Sequence, residues 1–185
     1  MFVAGAALLV ASLALVRRRG IHSVEEEIFR AANDAPDAIT IPVRSVMQMG
    51  TFGTVPVVSA VALLARKPRL AAALGVGGAA AWVLAKQAKR LGARPRPEGM
   101  LTDVRTREKI EGDLGWVSGH SAVATSIAAT AWIATPRWSR PFLAAGTLTT
   151  AFGRMFVGAH LPLDLVGGAG LGMMVSAVAR RFLPD

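Results

Sequence analysis

Residues 153–164 read Gly-Arg-Met-Phe-Val-Gly-Ala-His-Leu-Pro-Leu-Asp, a polar segment between two strongly apolar stretches of the chain. Its reactive side chains are those of Arg154, His160 and Asp164. Pro162 suits the first turn of a helix, and the spacing of four residues from His160 to Asp164 places both side chains on one helix face. Charged groups at membrane depth are costly, so a membrane protein that keeps them there is expected to use them.

The composition points to a membrane protein of one domain. Of the 185 residues, 52% are hydrophobic, the net charge is +9, and cysteine is absent. Apolar runs favour a membrane over a soluble core, and the lack of cysteine excludes disulfides and thiolate metal sites. The basic residues lie between apolar runs, which favours anionic lipid and a phosphorylated substrate over nucleic acid. Residues 1–185 are predicted to form a single domain, either a whole protein or a module of a longer one.

Six apolar segments are predicted to be transmembrane helices, so the expected fold is all-α, an integral membrane bundle of six spans. Their predicted bounds are Phe2–Val16, Phe52–Ala65, Leu70–Ala88, Ser118–Thr135, Pro141–Phe156 and Leu161–Phe182. Several are shorter than the ~20 residues that cross a typical bilayer. No basic residue precedes the first segment, and Arg17 and Arg18 follow it. It is therefore predicted to be a retained helix and not a signal peptide.

Shorter features lie between and within these segments. Ser23 and the acidic residues after it are typical of a helix start. That helix and residues 37–49 are predicted to lie along the membrane surface, and the polar stretch 89–116 to form a cap that faces the substrate. Gly168 and Gly172 are four residues apart, a spacing that lets helix backbones approach closely.

A second polar segment carries cations. Lys89 follows the third apolar segment, and Arg96-Pro97 comes seven residues later. A phosphoryl group brings two or more negative charges, and cations around its oxygens supply much of the transition-state stabilisation. Lys89, Arg96 and Arg154 are therefore candidate phosphate ligands. Lone basic residues at helix ends commonly extend toward the interface instead. That role is predicted for Lys86, Arg90 and Arg94.

The tripeptide Ser118-Gly119-His120 opens the fourth apolar segment. A helix N-terminus offers unpaired N–H groups and the positive end of the helix dipole, which together bind anions. Ser118 can cap the helix, and Gly119 lets the backbone come close to a phosphate. An imidazolium at His120 can protonate a leaving oxygen.

His160 and Asp164 have the spacing of a nucleophile and its orienting partner. The carboxylate can hold one imidazole N–H and leave the other nitrogen free to attack, as in a catalytic triad. Metal binding is the rival interpretation, because both residue types are common ligands. Three nearby cations would repel a metal ion, and only His120 and His160 are plausible histidine ligands, so phosphoryl transfer is favoured.

The order and spacing of these residues resemble the type 2 phosphatidic acid phosphatase (PAP2) superfamily. Residues 89–97, Lys-Arg-Leu-Gly-Ala-Arg-Pro-Arg-Pro, match the first motif of that family. Residues 116–120, Trp-Val-Ser-Gly-His, match the second, and residues 153–164 match the third. Two positions depart from the usual pattern: Val117 stands where the family has proline, and Gly153 where it has serine. The second change can remove one phosphate contact.

The resemblance implies a role for each motif residue. His160 would attack phosphorus and form a phosphohistidine, with Asp164 orienting it. His120 would protonate the leaving oxygen and later help to activate water. The phosphate would be held by Lys89, Arg96, Ser118, the amide of Gly119, and Arg154. Members of the family need no metal, so no cofactor is expected.

The resemblance also implies the substrate class. The expected activity is that of a metal-independent membrane phosphatase acting on a polyprenyl (di)phosphate, a polyprenyl-phosphosugar phosphate or a phospholipid phosphate. One alternative is a catalytically silent membrane protein that binds or carries anionic lipid. Another is a vanadate-dependent haloperoxidase, which shares the phosphate-type cradle. Those enzymes are soluble and much larger, so the apolar segments argue against the second alternative.

The expected location is the plasma (inner) membrane, crossed several times. With six spans, the three polar segments fall on one side, which the family usually places outside the cytoplasm, and that arrangement is expected here. Most Lys and Arg residues lie on this same side, so the positive-inside rule points the other way. The expected partners are the lipid (di)phosphate substrate and membrane lipids, with a homo-oligomer left open and nucleic acid not expected.

Overall fold

The computed structural model describes residues 1–18 and 20–183, and these form a bundle of α-helices. In chain order the helices are α1 Phe2–Val16, α2 Ser23–Asn33, α3 Thr40–Met47, α4 Thr54–Leu64, α5 Pro68–Gly92, α6 Gly119–Ala134, α7 Arg140–Phe156 and α8 Pro162–Ala179. Short 3₁₀ turns flank several of them. The described residues contain no strand, only an isolated bridge between Pro95 and Leu114. The all-α prediction is confirmed.

Helix α8 is the centre of the bundle and packs against α1, α5 and α6. Its glycines make this possible. A Cβ atom on Gly172 would lie 2.5 Å from the carbonyl oxygen of Ala122 in α6, and one on Gly170 would lie 2.6 Å from that of Gly5 in α1. The backbones of α8 and its neighbours are therefore in direct contact, as the spacing of Gly168 and Gly172 predicts.

The six segments predicted to span the membrane each form a helix, with ends that coincide with the predicted ones or differ from them by at most four residues. Among the described residues, α5 and α8 are long and apolar enough to cross a bilayer. A third span is obtained if residues 37–50 and α4, which meet at a 70° bend, are counted as one. Helix α1 is apolar but shorter. The number of six spans stays a prediction.

Helix α2 docks on the bundle through a few buried side chains. Phe29 and Asn33 have no exposed surface, and the amide of Asn33 donates to the carbonyl oxygens of Arg105, Met155 and Phe156 at 3.0–3.2 Å. The residue before the helix is His22, whose Nδ1 accepts from the Val24 amide at 3.4 Å. Ser23 is thus the first helical residue and not the cap.

The loop between α5 and α6 folds back on itself. Near its two ends, the amide of Gly115 donates to the carbonyl oxygen of Arg94 at 2.8 Å, and that of Arg96 to Asp113 at 3.1 Å. These bonds close the loop into a compact flap whose middle lies beside α7. The flap brings the first polar segment next to the start of α6.

Gly168 offers a test of the α6–α8 contact. Alanine at this position would push a Cβ against the carbonyl oxygen of Ser118 and to within 2.9 Å of the Ser121 Cβ. Overpacking of this kind costs about 1–3 kcal/mol. Gly168→Ala is expected to lower the thermal unfolding midpoint of the detergent-solubilised protein.

Gly53→Ala is the matched control, because the nearest atom to a Cβ there is 3.8 Å away and the backbone is right-handed. Equal unfolding midpoints for the two variants would contradict the close packing of α6 on α8.

Candidate active site

The three polar segments meet at one cavity of about 370 Å³. Six of the predicted site residues line it, namely Lys89, Arg96, Gly119, His120, Arg154 and His160. They are joined by residues of the flap, including Glu108 and Glu111, and by Phe52 and Trp82 on the α4–α5 side. Segments that are more than 60 residues apart in the chain therefore face a common space.

Arg96 is held by backbone carbonyl groups. Its Nε donates to Gly112 at 2.5 Å, and its two terminal nitrogens donate to Ala159 at 2.9 Å and Glu111 at 2.7 Å. A guanidinium has five N–H groups, so two remain for a ligand. Burial, and then the positive charge of Arg154, lower the pKa of Arg96, but a guanidinium stays charged at any physiological pH.

Lys89 is held in a similar way. It lies in the last turn of α5, and its Nζ donates to the carbonyl oxygens of Leu114 at 2.7 Å and Gly115 at 3.2 Å. One ammonium N–H remains for a ligand. Because carbonyl dipoles and not carboxylates position Lys89 and Arg96, both keep their net positive charge at the cavity.

Arg154 lies in the last turn of α7 and is bound differently. One terminal nitrogen forms an ion pair with the carboxylate of Glu108 from the flap and lies 3.7 Å from the sulfur of Met47. Its Nε is buried and has no hydrogen-bond partner in the described part of the chain. A buried donor without a partner is unusual. Here it belongs to Arg154, the same side chain that pairs with Glu108 of the flap.

The start of α6 carries the second polar segment. Ser118 is the N-cap, and its hydroxyl accepts from the amide of Ser121 at 3.4 Å. Ser118 is fully buried and does not line the cavity. Gly119 does line it, and a Cβ there would meet nothing closer than 4.0 Å. The helix N-terminus therefore faces the cavity through Gly119 and His120.

His160 and Asp164 lie together at the start of α8, as predicted. The His160 Nδ1 is 3.5 Å from the Asp164 Oδ2, longer than a normal hydrogen bond, and has no hydrogen-bond partner among the residues described. Catalytic bonds are often long without substrate. Burial, and then the positive charge of Arg154, lower the pKa of His160 well below its usual value. The lowered pKa favours the neutral ring, whose Nε2 is the nitrogen on the side away from Asp164.

Asp164 lies behind the cavity and not on its wall. It is fully buried. Its Oδ2 accepts from the Leu161 amide at 3.0 Å, and its Oδ1 accepts from Arg94 at 3.2 Å. Its backbone carbonyl accepts from the Ser118 amide at 2.9 Å. Asp164 therefore connects the start of α8 to the start of α6.

The position of Arg94 shows that one prediction was wrong. Arg90 is exposed, as expected for a basic residue at a helix end. Lys86 is exposed but lines the cavity, with its Nζ 3.6 Å from the centroid of the Trp82 ring. Arg94 is only 3% exposed and pairs with Glu25 of α2. The turn after α5 causes this difference, since Ala93 adopts a left-handed conformation that ends the helix and directs the next residue inward. Sequence reasoning missed both Glu25 and Glu108, because acidic residues in a helix start and in a polar loop usually face solvent.

The arrangement is suited to binding an anion. The cavity is lined by two histidines, by the two carboxylates of Glu108 and Glu111, and by five cations, namely Lys86, Lys89, Arg96, Lys109 and Arg154. Among the residues that the structure describes, no group of three or more histidine and acidic side chains is placed to hold a metal ion. A phosphate bound here would contact cations and the start of α6, with the neutral His160 beside it.

Known proteins share both the fold and part of the sequence. LpxE of Aquifex aeolicus superposes with a TM-score of 0.79 and 21% identity, covering 88% of this chain and 98% of that one. A PAP2-type phosphatidylglycerolphosphate phosphatase of Bacillus subtilis gives a TM-score of 0.76 and 17% identity, covering 97% of this chain and 95% of its own. Both are solved structures, and at these identities the likeness concerns the fold.

In sequence, an undecaprenyl-diphosphatase of Sulfolobus acidocaldarius is 25% identical over 122 residues, or 66% of this chain. The match spans 59% of the length of that relative. The family model of the PAP2 superfamily matches residues 69–185, which include all three motifs. On this match, together with the shared fold, the chain belongs to the PAP2 superfamily.

Proposed function

We propose that this protein is an integral membrane phosphatase that hydrolyses a lipid phosphate or diphosphate without a metal ion. The observation that carries the proposal is the convergence of His160 with Lys89, Arg96 and Arg154 at one cavity. Membership of the PAP2 superfamily supports it, as do relatives named as an undecaprenyl-diphosphatase and a phosphatidylglycerolphosphate phosphatase.

The proposed reaction has two steps. In the first, the His160 Nε2 attacks phosphorus while the bond from phosphorus to the leaving oxygen breaks and His120 gives that oxygen a proton. The product is a phosphohistidine whose ring N–H faces Asp164. In the second step, His120 takes a proton from water, the water oxygen attacks phosphorus, and the nitrogen–phosphorus bond breaks. Phosphate is released and His160 returns to its neutral form.

The cations act on the charge that builds up on the three equatorial oxygens. Arg96 and Lys89 offer two and one free N–H groups, and Arg154 offers the terminal nitrogen that is not paired with Glu108. Ser118 contributes by capping α6 and thereby aiming the Gly119 amide at the phosphate. Its hydroxyl is engaged within the helix turn.

A lipid substrate is proposed because the cavity opens beside apolar helices that suit a membrane. Phe52 and Trp82, with ring centroids 4.7 Å apart, line it on the α4–α5 side and offer an apolar wall to a lipid chain. We further propose six membrane spans formed by α1 and α4–α8, with the cavity on the extracytoplasmic side of the plasma membrane.

The first test is phosphate release in detergent with excess EDTA, from a polyprenyl diphosphate, phosphatidate and phosphatidylglycerol phosphate. Wild type is expected to release phosphate from at least one of them, and His160→Ala from none. Phosphate release by His160→Ala at close to the wild-type rate would contradict the proposed role of His160 as the nucleophile. No release by wild type from any substrate would favour a silent lipid-binding protein.

Arg154 is expected to act mainly in the transition state. Removing one such donor typically costs about 10²- to 10³-fold in kcat, and Arg154→Ala is expected to lose at least that much. Arg90→Ala is the control, because that side chain is exposed and lies outside the cavity. A loss of similar size in both variants would argue against a specific role for Arg154.

Asp164→Asn is expected to slow the attack of His160 while leaving phosphate binding largely intact, because Asp164 touches the nucleophile and not the cavity. The measurements are kcat and the inhibition constant of inorganic phosphate. If both change by the same factor, Asp164 has a structural role instead.

Glu108 competes with the substrate for Arg154. Glu108→Gln removes that charge and is expected to tighten inhibition by inorganic phosphate about fivefold, the difference between a charged and a neutral hydrogen-bond partner. Glu111→Gln is the matched control, since Glu111 lines the same cavity but forms no ion pair within the described residues. Equal or weaker inhibition in the Glu108 variant would show that the pair does not oppose phosphate binding.

A further inference from the structure

A cluster of three buried charges lies behind the cavity, and the mechanism proposed above does not use all of it. Arg94, Glu25 and Asp164 are 3%, 6% and 0% exposed. They come from three separate parts of the chain: the turn after α5, the first turn of α2 and the first turn of α8. Asp164 is a residue of the third motif, Arg94 is one of the six intervening positions of the first motif between Lys89 and Arg96, and Glu25 lies outside the matched residues 69–185.

The contacts within this cluster are well defined. The two terminal nitrogens of Arg94 donate to the two oxygens of Glu25 at 2.8 and 2.7 Å, a bidentate geometry that fixes both planes. One of those nitrogens also donates to the Asp164 Oδ1 at 3.2 Å. Glu25 in turn accepts from the Leu163 amide in the first turn of α8 at 3.0 Å. Arg94 and Glu25 thus both contact the first turn of α8, at the Asp164 side chain and at the Leu163 amide.

Both oxygens of Asp164 are consequently fixed. Oδ1 is bound by Arg94, while Oδ2 is bound by the Leu161 amide at 3.0 Å and faces the His160 Nδ1 at 3.5 Å. Without Arg94, the carboxylate could rotate about its bond to Cβ and lose its orientation toward the ring. A fixed orientation matters because small errors in the placement of reacting groups cost large factors in rate.

The charges of the cluster also favour this role. A lone Arg94 would cancel the charge of Asp164 and weaken its attraction for the ring N–H of a phosphorylated His160. Glu25 supplies a second carboxylate, so the cluster of one cation and two anions keeps a net charge of −1. Arg94 can therefore orient Asp164 while the negative charge next to the nucleophile is preserved.

We infer that Arg94, held in place by Glu25, is a positioning residue that keeps Asp164 directed at His160. The inference rests on the proposed function, since it assigns Arg94 and Glu25 to the same reaction. It also gives α2 a role in catalysis, because the carboxylate that fixes Arg94 comes from that helix.

The test is a double-mutant cycle. Arg94→Gln, Asp164→Asn and the double variant are compared with wild type and His160→Ala in the phosphate-release assay. Arg94→Gln is expected to lower kcat by about 10- to 100-fold, as loss of an orienting partner behind a reactive group typically does. If Arg94 acts through Asp164, the double variant will be no slower than Asp164→Asn alone, within about threefold.

A second readout separates positioning from general damage. The inhibition constant of inorganic phosphate is expected to stay within about twofold in Arg94→Gln, because the side chain lies outside the cavity and a shift below threefold is under the error of a coupling measurement. Asn33→Ala is the control for loosening of α2, since Asn33 anchors that helix without touching Asp164. It is expected to lower the unfolding midpoint while leaving kcat of the folded protein unchanged.

The inference would be overturned if the loss of kcat in the double variant equalled the product of the two single losses. It would also be overturned if Arg94→Gln weakened phosphate binding as much as it lowered kcat. Either result would leave the proposed function intact. Should Arg94→Gln fail to fold, Glu25→Gln replaces it in the same cycle, with the same expected dependence on Asp164. A wild type without turnover on any lipid phosphate would overturn the proposed function and the inference together.

Discussion

Three cations held around one cavity repel each other, and the fold has to offset this repulsion before any ligand binds. It does so mainly with backbone carbonyl groups of the flap and of the turn before α8, which accept from Lys89 and Arg96. Carbonyl dipoles stabilise a cation without cancelling its charge, whereas carboxylates would neutralise it. The attraction of the cavity for an anion therefore depends on the flap keeping its closed shape.

The need to hold these cations in place also explains why the ends of the flap lie so close to the starts of α6 and α8. The amide of Ser118 donates to the carbonyl oxygen of Asp164, and Gly168 and Gly172 let the backbones of α6 and α8 touch. Two helix N-termini are thereby fixed side by side. His160, just before one of them, and the amide of Gly119, on the other, are therefore held in fixed positions relative to each other.

Much of this could be predicted from the sequence. Apolar runs of sufficient length predicted the positions of six of the eight helices, because burial or membrane contact of a whole segment leaves a strong local signal. The motif spacing predicted the residues at the cavity, since Lys89, Arg96, Arg154 and His160 are chemically unusual in an apolar chain. The proximity of His160 to Asp164 was predicted from their spacing of four residues, although His160 lies two residues before α8 begins and not in the helix.

The rest depends on contacts between distant parts of the chain. Arg94 was predicted to extend toward the interface, and only the left-handed turn at Ala93 directs it inward. Nothing local to Glu25 shows that its partner lies about seventy residues away, and the same is true of Glu108 and Arg154. Ser118 was predicted to touch phosphate, but the closing of the first turn of α6 uses its hydroxyl.

The carboxylate of Glu108 has a consequence for the environment in which such a cavity would operate. Bulk phospholipids are phosphodiesters that carry a single negative charge at phosphorus, and they vastly outnumber any monoester or diphosphate. An ion with one charge gains little by replacing a carboxylate that is already in contact with Arg154. An ion with two or more charges gains considerably more, so under the proposed function the pair of Glu108 with Arg154 favours multiply charged lipids over the phosphodiesters of the surrounding matrix.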